Sequence, residues 1–127
     1  MNKTNWSISW NRSIQPKKQK LFRYNAPNHV LAALDSSPLS DDLAKKHGIK
    51  KLVPRKGDKV KVLRGEFKGK TGAINRVYHK KSRLYIEGIE VAKKDGSKAR
   101  YPVHITKVLI TELNLDDKKR IKKIKKE

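Results

Sequence analysis

The sequence predicts a mainly β fold: a small barrel of short antiparallel strands. Short helices precede it, with an extended basic arm at the N-terminus and a short basic helix at the C-terminus. Three observations predict this. From Leu52 onward, apolar residues recur with a period of two in brief runs, as in half-buried strands. Turn signals separate those runs, among them Lys68-Gly69-Lys70-Thr71-Gly72 and Asp95-Gly96. Before Leu52 the pattern changes to helical spacing with helix-end residues.

Residues 1–24 show neither period. Trp6, Trp10, Phe22 and Tyr24 are interspersed with Lys3, Arg12, Lys17, Lys18, Lys20 and Arg23. Cations neutralise phosphates and aromatic rings stack on unpaired bases, so the mixture suits an arm that follows RNA. Asn25-Ala26-Pro27 predicts the start of a short helix, with Val30, Leu31 and Leu34 on one side. Asp35-Ser36-Ser37-Pro38 interrupts it. Ser40 then caps a second helix, with Asp41 and Asp42 at its positive end, Lys45, Lys46 and His47 at its negative end, and Gly48 beyond. Leu39 and Leu43 face inward.

The β region opens on Lys59–Leu63, where Val60 and Val62 share one face and Lys59 and Lys61 the other. Next comes Arg64-Gly65-Glu66-Phe67-Lys68-Gly69-Lys70-Thr71-Gly72, three glycines in nine positions. Glycine turns tightly and lets a backbone approach a partner closely. Arg64, Lys68 and Lys70, with Phe67, suit a partner that is flat and anionic. Further strands follow at Ala73–Tyr78, Leu84–Glu87 and Ile89–Val91. Asp95-Gly96 predicts a hairpin running into Ala99–Val103, and Val108–Leu113 supplies the last strand. Asn114–Asp117 opens a helix through Lys126, with too few apolar residues to bury a face; alone it should fray.

The divisions expected are thus 1–24 as a basic aromatic arm, 25–51 as a short helical segment, 52–115 as the β domain and 116–127 as a basic C-terminal helix. Charge follows them. The chain of 127 residues has a formal net charge of +21. Residues 1–24 hold six basic and no acidic side chains, and 53–115 hold sixteen against six. Residues 25–52 are nearly balanced, which marks a packing element. A domain so charged persists beside a polyanion, nucleic acid first and an anionic membrane surface second. No apolar run is long enough to insert in a bilayer and no export signal is evident, which predicts a cytoplasmic protein.

Catalytic chemistry finds no footing in these residues. Zero cysteines remove disulfides, thiolate nucleophiles and cysteine metal sites together. His29, His47, His79 and His104 are widely spaced, and the carboxylates sit where helix starts want them. The order Lys70-Thr71-Gly72 is not that of a nucleotide-binding phosphate loop. No enzyme activity, cofactor, metal or small-molecule substrate is expected.

Gly57-Asp58 before a valine-rich strand, Arg64-Gly65 after it, and Lys68-Gly69-Lys70-x-Gly72 resemble a KOW motif. With Tyr85-Ile86-Glu87-Gly88-Ile89, Lys93-Lys94-Asp95-Gly96 and the upstream Asn25-Ala26-Pro27-Asn28-His29 and Ser37-Pro38-Leu39-Ser40, residues 17–120 are similar to one family. It is the KOW-motif large-subunit ribosomal protein, number twenty-four in the universal naming and twenty-six in the older eukaryotic naming, of the archaeal and eukaryotic type. The resemblance implies an SH3-like (KOW) barrel, contact with large-subunit rRNA and neighbouring large-subunit proteins, an early role in assembly and a place near the polypeptide exit. RNA contacts are expected from Lys17, Lys18, Lys20, Arg23, Asn25, Asn28 and His29. Others are expected from Arg64, Gly65, Phe67, Lys68, Gly69 and Lys70, and from Lys93, Lys94 and Arg100. One departure from the family is Ile105, where a proline commonly follows the histidine. The other function classes compatible with a basic KOW chain are a transcription-elongation module docking on polymerase and an SH3-like protein coating DNA.

Overall fold

A computed structural model describes residues 6–126. Its centre is a five-stranded antiparallel sheet in the order β6-β5-β4-β3-β7: β3 (Lys59–Val62), β4 (Thr71–Tyr78), β5 (Arg83–Ala92), β6 (Lys98–His104) and β7 (Val108–Glu112). A two-stranded pair, β1 (Ser37–Pro38) with β2 (Lys51–Leu52), adjoins it, and Leu39 makes a parallel bridge to Ile110. The expected alternation in β3 holds: Val60 and Val62 are buried, Lys59 and Lys61 exposed. Val108 and Ile110 face the same interior.

Two expected strands are one. β5 runs ten residues, and Gly88 inside it has φ +80°. Leu84 and Ile86 are buried in one phase, and the next buried residue is Ile89. That change of phase is what the sequence displays as a break; a bulge absorbs it and the strand continues. The β5–β6 pairing slips over this stretch, from Tyr85↔Pro102 to Glu90↔Arg100.

Helices account for most of the remainder: α1 (Pro16–Asn25), α2 (Asn28–Leu34), α3 (Asp41–His47) and α4 (Lys118–Lys126). In α3, Gly48 takes φ +69° and returns its N–H to Ala44 O at 2.8 Å, as the sequence predicts. The Ser40 side chain makes no cap bond. α2 begins one residue after Pro27, and only Leu31 of its apolar residues is fully buried, Leu34 being exposed.

The extended arm requires correction. Residues 8–12 form a 3-10 turn and α1 follows, with Pro16 in its first turn where its missing N–H costs nothing. Trp6 packs on Phe22 with ring centroids 5.4 Å apart and donates its Nε1–H to Phe22 O at 3.1 Å. The Trp6 ring is therefore spent on its own chain. Lys3 lies outside the described residues.

The fraying of α4 is corrected too. Ile124 joins the same hydrophobic core as Val60, Ile86 and Ile110. Arg120 is buried, and its guanidinium grips both oxygens of buried Asp58 at 2.6 Å each. It also donates to Asn114 O and Val53 O, while Asp58 accepts from the backbone N–H groups of Arg55 and Asn114. A bidentate, hydrogen-bonded arrangement of this kind offsets the desolvation of both charges. One arginine thus supplies the anchor that two isoleucines alone would not.

Candidate nucleic-acid interface

The loop between β3 and β4 is built by its glycines. Gly65 has φ +100° and Gly69 φ +86°, backbone states that other residues adopt only at a cost. A Cβ built on either meets no atom of the protein within 4 Å, so these positions face open space. Gly69 N–H returns to Val62 O at 2.8 Å and Val62 N–H to Lys70 O at 2.9 Å, closing the loop onto its strand. Arg64, Lys68 and Lys70 are all exposed on it.

Phe67 is different. Only 8% of it is accessible; it belongs to the core, 4.9 Å from the Tyr101 ring. Lys70 Nζ lies 4.9 Å over its centroid, a cation–π contact that draws the ammonium across the loop. The expectation of Phe67 as a free face for a flat partner is corrected: it is the peg that seats the loop. Tyr101, which sequence reasoning passed over, is the exposed aromatic beside it.

A small cleft separates this loop from β6 and the 3-10 turn Ile105–Lys107. Arg64, Arg83, His104 and Lys107 all line it. The Arg83 and Arg23 charges both bear on His104, which places α1 near the same rim. Burial first, then those two arginines, holds the His104 imidazole below its usual pKa. Nδ1 accepts from Thr106 N–H at 3.3 Å, consistent with the neutral ring. Arg23 also lies 4.0 Å from buried Asp35, which accepts from Ser82 Oγ at 2.6 Å and sits 3.1 Å from His79 Nδ1. Arg64, Arg83 and Lys107 therefore line one mainly basic cleft, which Glu66 shares, and Arg23 reaches its edge through Asp35 and Ser82.

The other expected contacts are spread wider. Lys17, Lys18 and Lys20 lie exposed on α1, and half-buried Asn25 ends that helix. Asn28 and His29 open α2, both exposed. Lys93 and Lys94 occupy the β5–β6 turn, closed by Lys93 N–H to Ser97 O, and Arg100 is exposed on β6. Lys98 and His104 stand at opposite ends of β6, roughly 20 Å apart at about 3.3 Å per residue. The hairpin tip is thus a second station, apart from the rim. Continuing the Glu90↔Arg100 register down the hairpin without a slip would set Arg83 opposite Lys107. The slip at Gly88 replaces Lys107 with His104 as the direct partner.

Comparison with known proteins bears on the polyanion. The family model described as ribosomal proteins L26 of eukaryotes and L24 of archaea matches residues 13–127. The chain belongs to that family. Among its relatives, the large ribosomal subunit protein uL24 of Pyrobaculum islandicum is 44% identical over 114 residues, which cover 90% of this chain and 93% of the relative. The family is one of structural ribosomal proteins.

Proposed function

We propose that this chain is a structural constituent of the large ribosomal subunit and that it grips large-subunit rRNA through the 64–70 loop and the rim beside it. The observation that carries this reading is the loop itself: three exposed cations on a turn closed by two positive-φ glycines, in a ribosomal-protein family member of net charge +21. Arg64, Lys68 and Lys70 neutralise phosphates, and the open space over Gly65 and Gly69 admits a sugar–phosphate backbone. Lys17, Lys18, Lys20, Arg23, Asn25, Asn28 and His29 extend the contact along α1 and α2, and Lys93, Lys94 and Arg100 carry it to the hairpin. Neighbouring large-subunit proteins are its other partners, and the action is early, in subunit assembly, near the polypeptide exit.

The finer architecture fits the same reading. The return of β7 beside β3 and the Leu39–Ile110 bridge support an SH3-like barrel of the KOW type, with 52–115 as the gripping unit and 1–24, 25–51 and 116–127 as its attachments. The test is to ask washed large subunits for the protein, and then for the Arg64→Ala/Lys68→Ala/Lys70→Ala variant. The parent chain is expected in the subunits and the variant depleted from them. Equal retention of both would remove the loop from the mechanism; absence of the parent would remove the function.

A further inference from the structure

Residues 6–34 form a helical unit with packing of its own. Trp6 lies on Phe22, and Gln19 Nε2 donates to Asn11 O at 2.8 Å and to Ser13 O at 2.7 Å. Phe22, Ala26 and Leu31 are buried, yet none belongs to the hydrophobic core around Val60 and Ile110. The unit is thus not an extension of the core of the sheet.

Two residues at its junction with the sheet break local rules. Asp35 stands at the C-terminal end of α2, where the helix dipole disfavours a negative charge, and it is buried. Among the described residues Ser82 alone has a positive φ without being glycine, at +52°, and it too is buried. Glycine would take that backbone state without strain. The two side chains meet: Ser82 Oγ donates to Asp35 Oδ1 at 2.6 Å, the length of a charge-assisted bond. Their contact accounts for two residues that their own stretches of chain argue against.

The same carboxylate gathers the polar links between the unit and the sheet. His79 Nδ1 lies 3.1 Å from Oδ2, and Arg23 of α1 lies 4.0 Å from Oδ1. Among the described residues, no hydrogen bond or ion pair joins residues 6–34 directly to the chain beyond Ser36. Past Ser36 the chain is already fixed. Ser37 Oγ donates to Ile105 O at 2.8 Å, and Ile105 N–H to Ser82 O at 3.1 Å. The joint is therefore Asp35-Ser36, closed by one carboxylate.

We infer that Asp35 is a positioning residue: with Ser82 it latches the helical unit onto the turn at residues 79–82 and fixes the angle between α1 and the 64–70 loop. Two binding surfaces held at a set separation act together, whereas a loose joint dilutes the second contact. With the latch open the unit swings about residues 35–36, and its short helices, no longer docked, open more often. The role of α1 in this inference deepens the rRNA reading above and rests on it; the latch does not.

The test uses the full chain. Ser82→Gly removes the hydroxyl and relieves the positive φ, so a turn residue without a latch role would leave the helices as protected as before. The latch predicts amide exchange about tenfold faster in α1 and α2, the effect of losing one hydrogen bond to a charged group, with β3, β4 and β7 unchanged. Asp35→Asn keeps an acceptor for Ser82 and is expected to fall between the parent and Asp35→Ala. Binding to purified large-subunit rRNA is then read as a mutant cycle. Lys17→Ala/Lys18→Ala/Lys20→Ala is expected to weaken the parent, and to weaken the Ser82→Gly chain by a factor about fivefold smaller. Unchanged exchange in α1 and α2, or equal acceleration in helices and sheet, overturns the latch. Losses on rRNA that simply multiply overturn the positioning role. Should the parent ignore rRNA while Ser82→Gly still frees the helices alone, the rRNA reading falls and the latch stands.

Discussion

Glycine at position 65 and glycine at position 72 serve different ends, and substitution separates them. Gly65→Ala forces a side chain into φ +100° with nothing to strike, a backbone cost of about 1–2 kcal/mol. Gly72 has ordinary φ, but a Cβ there meets Glu87 O and comes within 2.9 Å of Ile86 Cγ2 on the neighbouring strand. Overpacking of that kind costs about 1–3 kcal/mol. Urea midpoints are expected to fall for both, whereas the RNA affinity of the folded fraction is expected to fall for Gly65→Ala alone. His104 gives a pH prediction. Its folded-state pKa lies below 6.5, so the unfolded chain binds the proton more readily. Stability is then whole above the unfolded pKa and declines as pH falls from about 6.5 toward the folded value. His104→Asn is expected to flatten that part of the pH–stability curve, as read by thermal unfolding between neutral and mildly acidic pH.

At the scale of elements, α4 makes the sharpest case. Arg120→Ala leaves Asp58 buried with its charge unmatched, a loss of about 3–5 kcal/mol by the usual cost of breaking a buried pair. Amide exchange is expected to accelerate through α4, since Ile124 is then its main remaining hold. A variant as stable as the parent would mean the pair holds nothing. α4 also shows where the sequence stopped being legible. Arg120 lies in a run of lysines and reads as solvated charge, because its partner Asp58 is 62 positions away. Several local signals were legible: Gly48 ended α3, Asp95-Gly96 turned the hairpin, and period two set the faces of β3, whereas Ser40 makes no cap bond and Gly88 carries a bulge rather than a break. Phe67 defeated the reading for the same reason as Arg120. Its neighbours are polar and glycine-rich, and its position becomes interior through residues distant in sequence, the core cluster it joins and Tyr101 on β6. Residues 8–25 lacked an apolar stripe, so their helical turns rest on Trp6 and Phe22 meeting across sixteen positions.

For the whole molecule, one quantity acts in two directions. A net charge of +21 on a chain this size repels itself, and salt screens that repulsion. Salt equally displaces the cations from phosphate, since bound counterions need no longer be released to full dilution. The free protein is therefore expected to gain stability as salt rises from about 50 to 200 mM, with a higher urea midpoint. Over the same range its affinity for large-subunit RNA is expected to fall by about 10³–10⁵ if some 6–10 phosphates are engaged. The opposed signs matter because they separate binding from folding: a chain that lost RNA by unfolding would show both falling together. Removing Arg64, Lys68 and Lys70 lowers the charge by three, and so should raise the low-salt stability of the free chain while weakening its hold on RNA. If that variant is instead less stable at low salt, the loop cations pack the domain and the division between a scaffold held by Val60, Ile110 and Arg120 and a charged surface held for the partner is wrong.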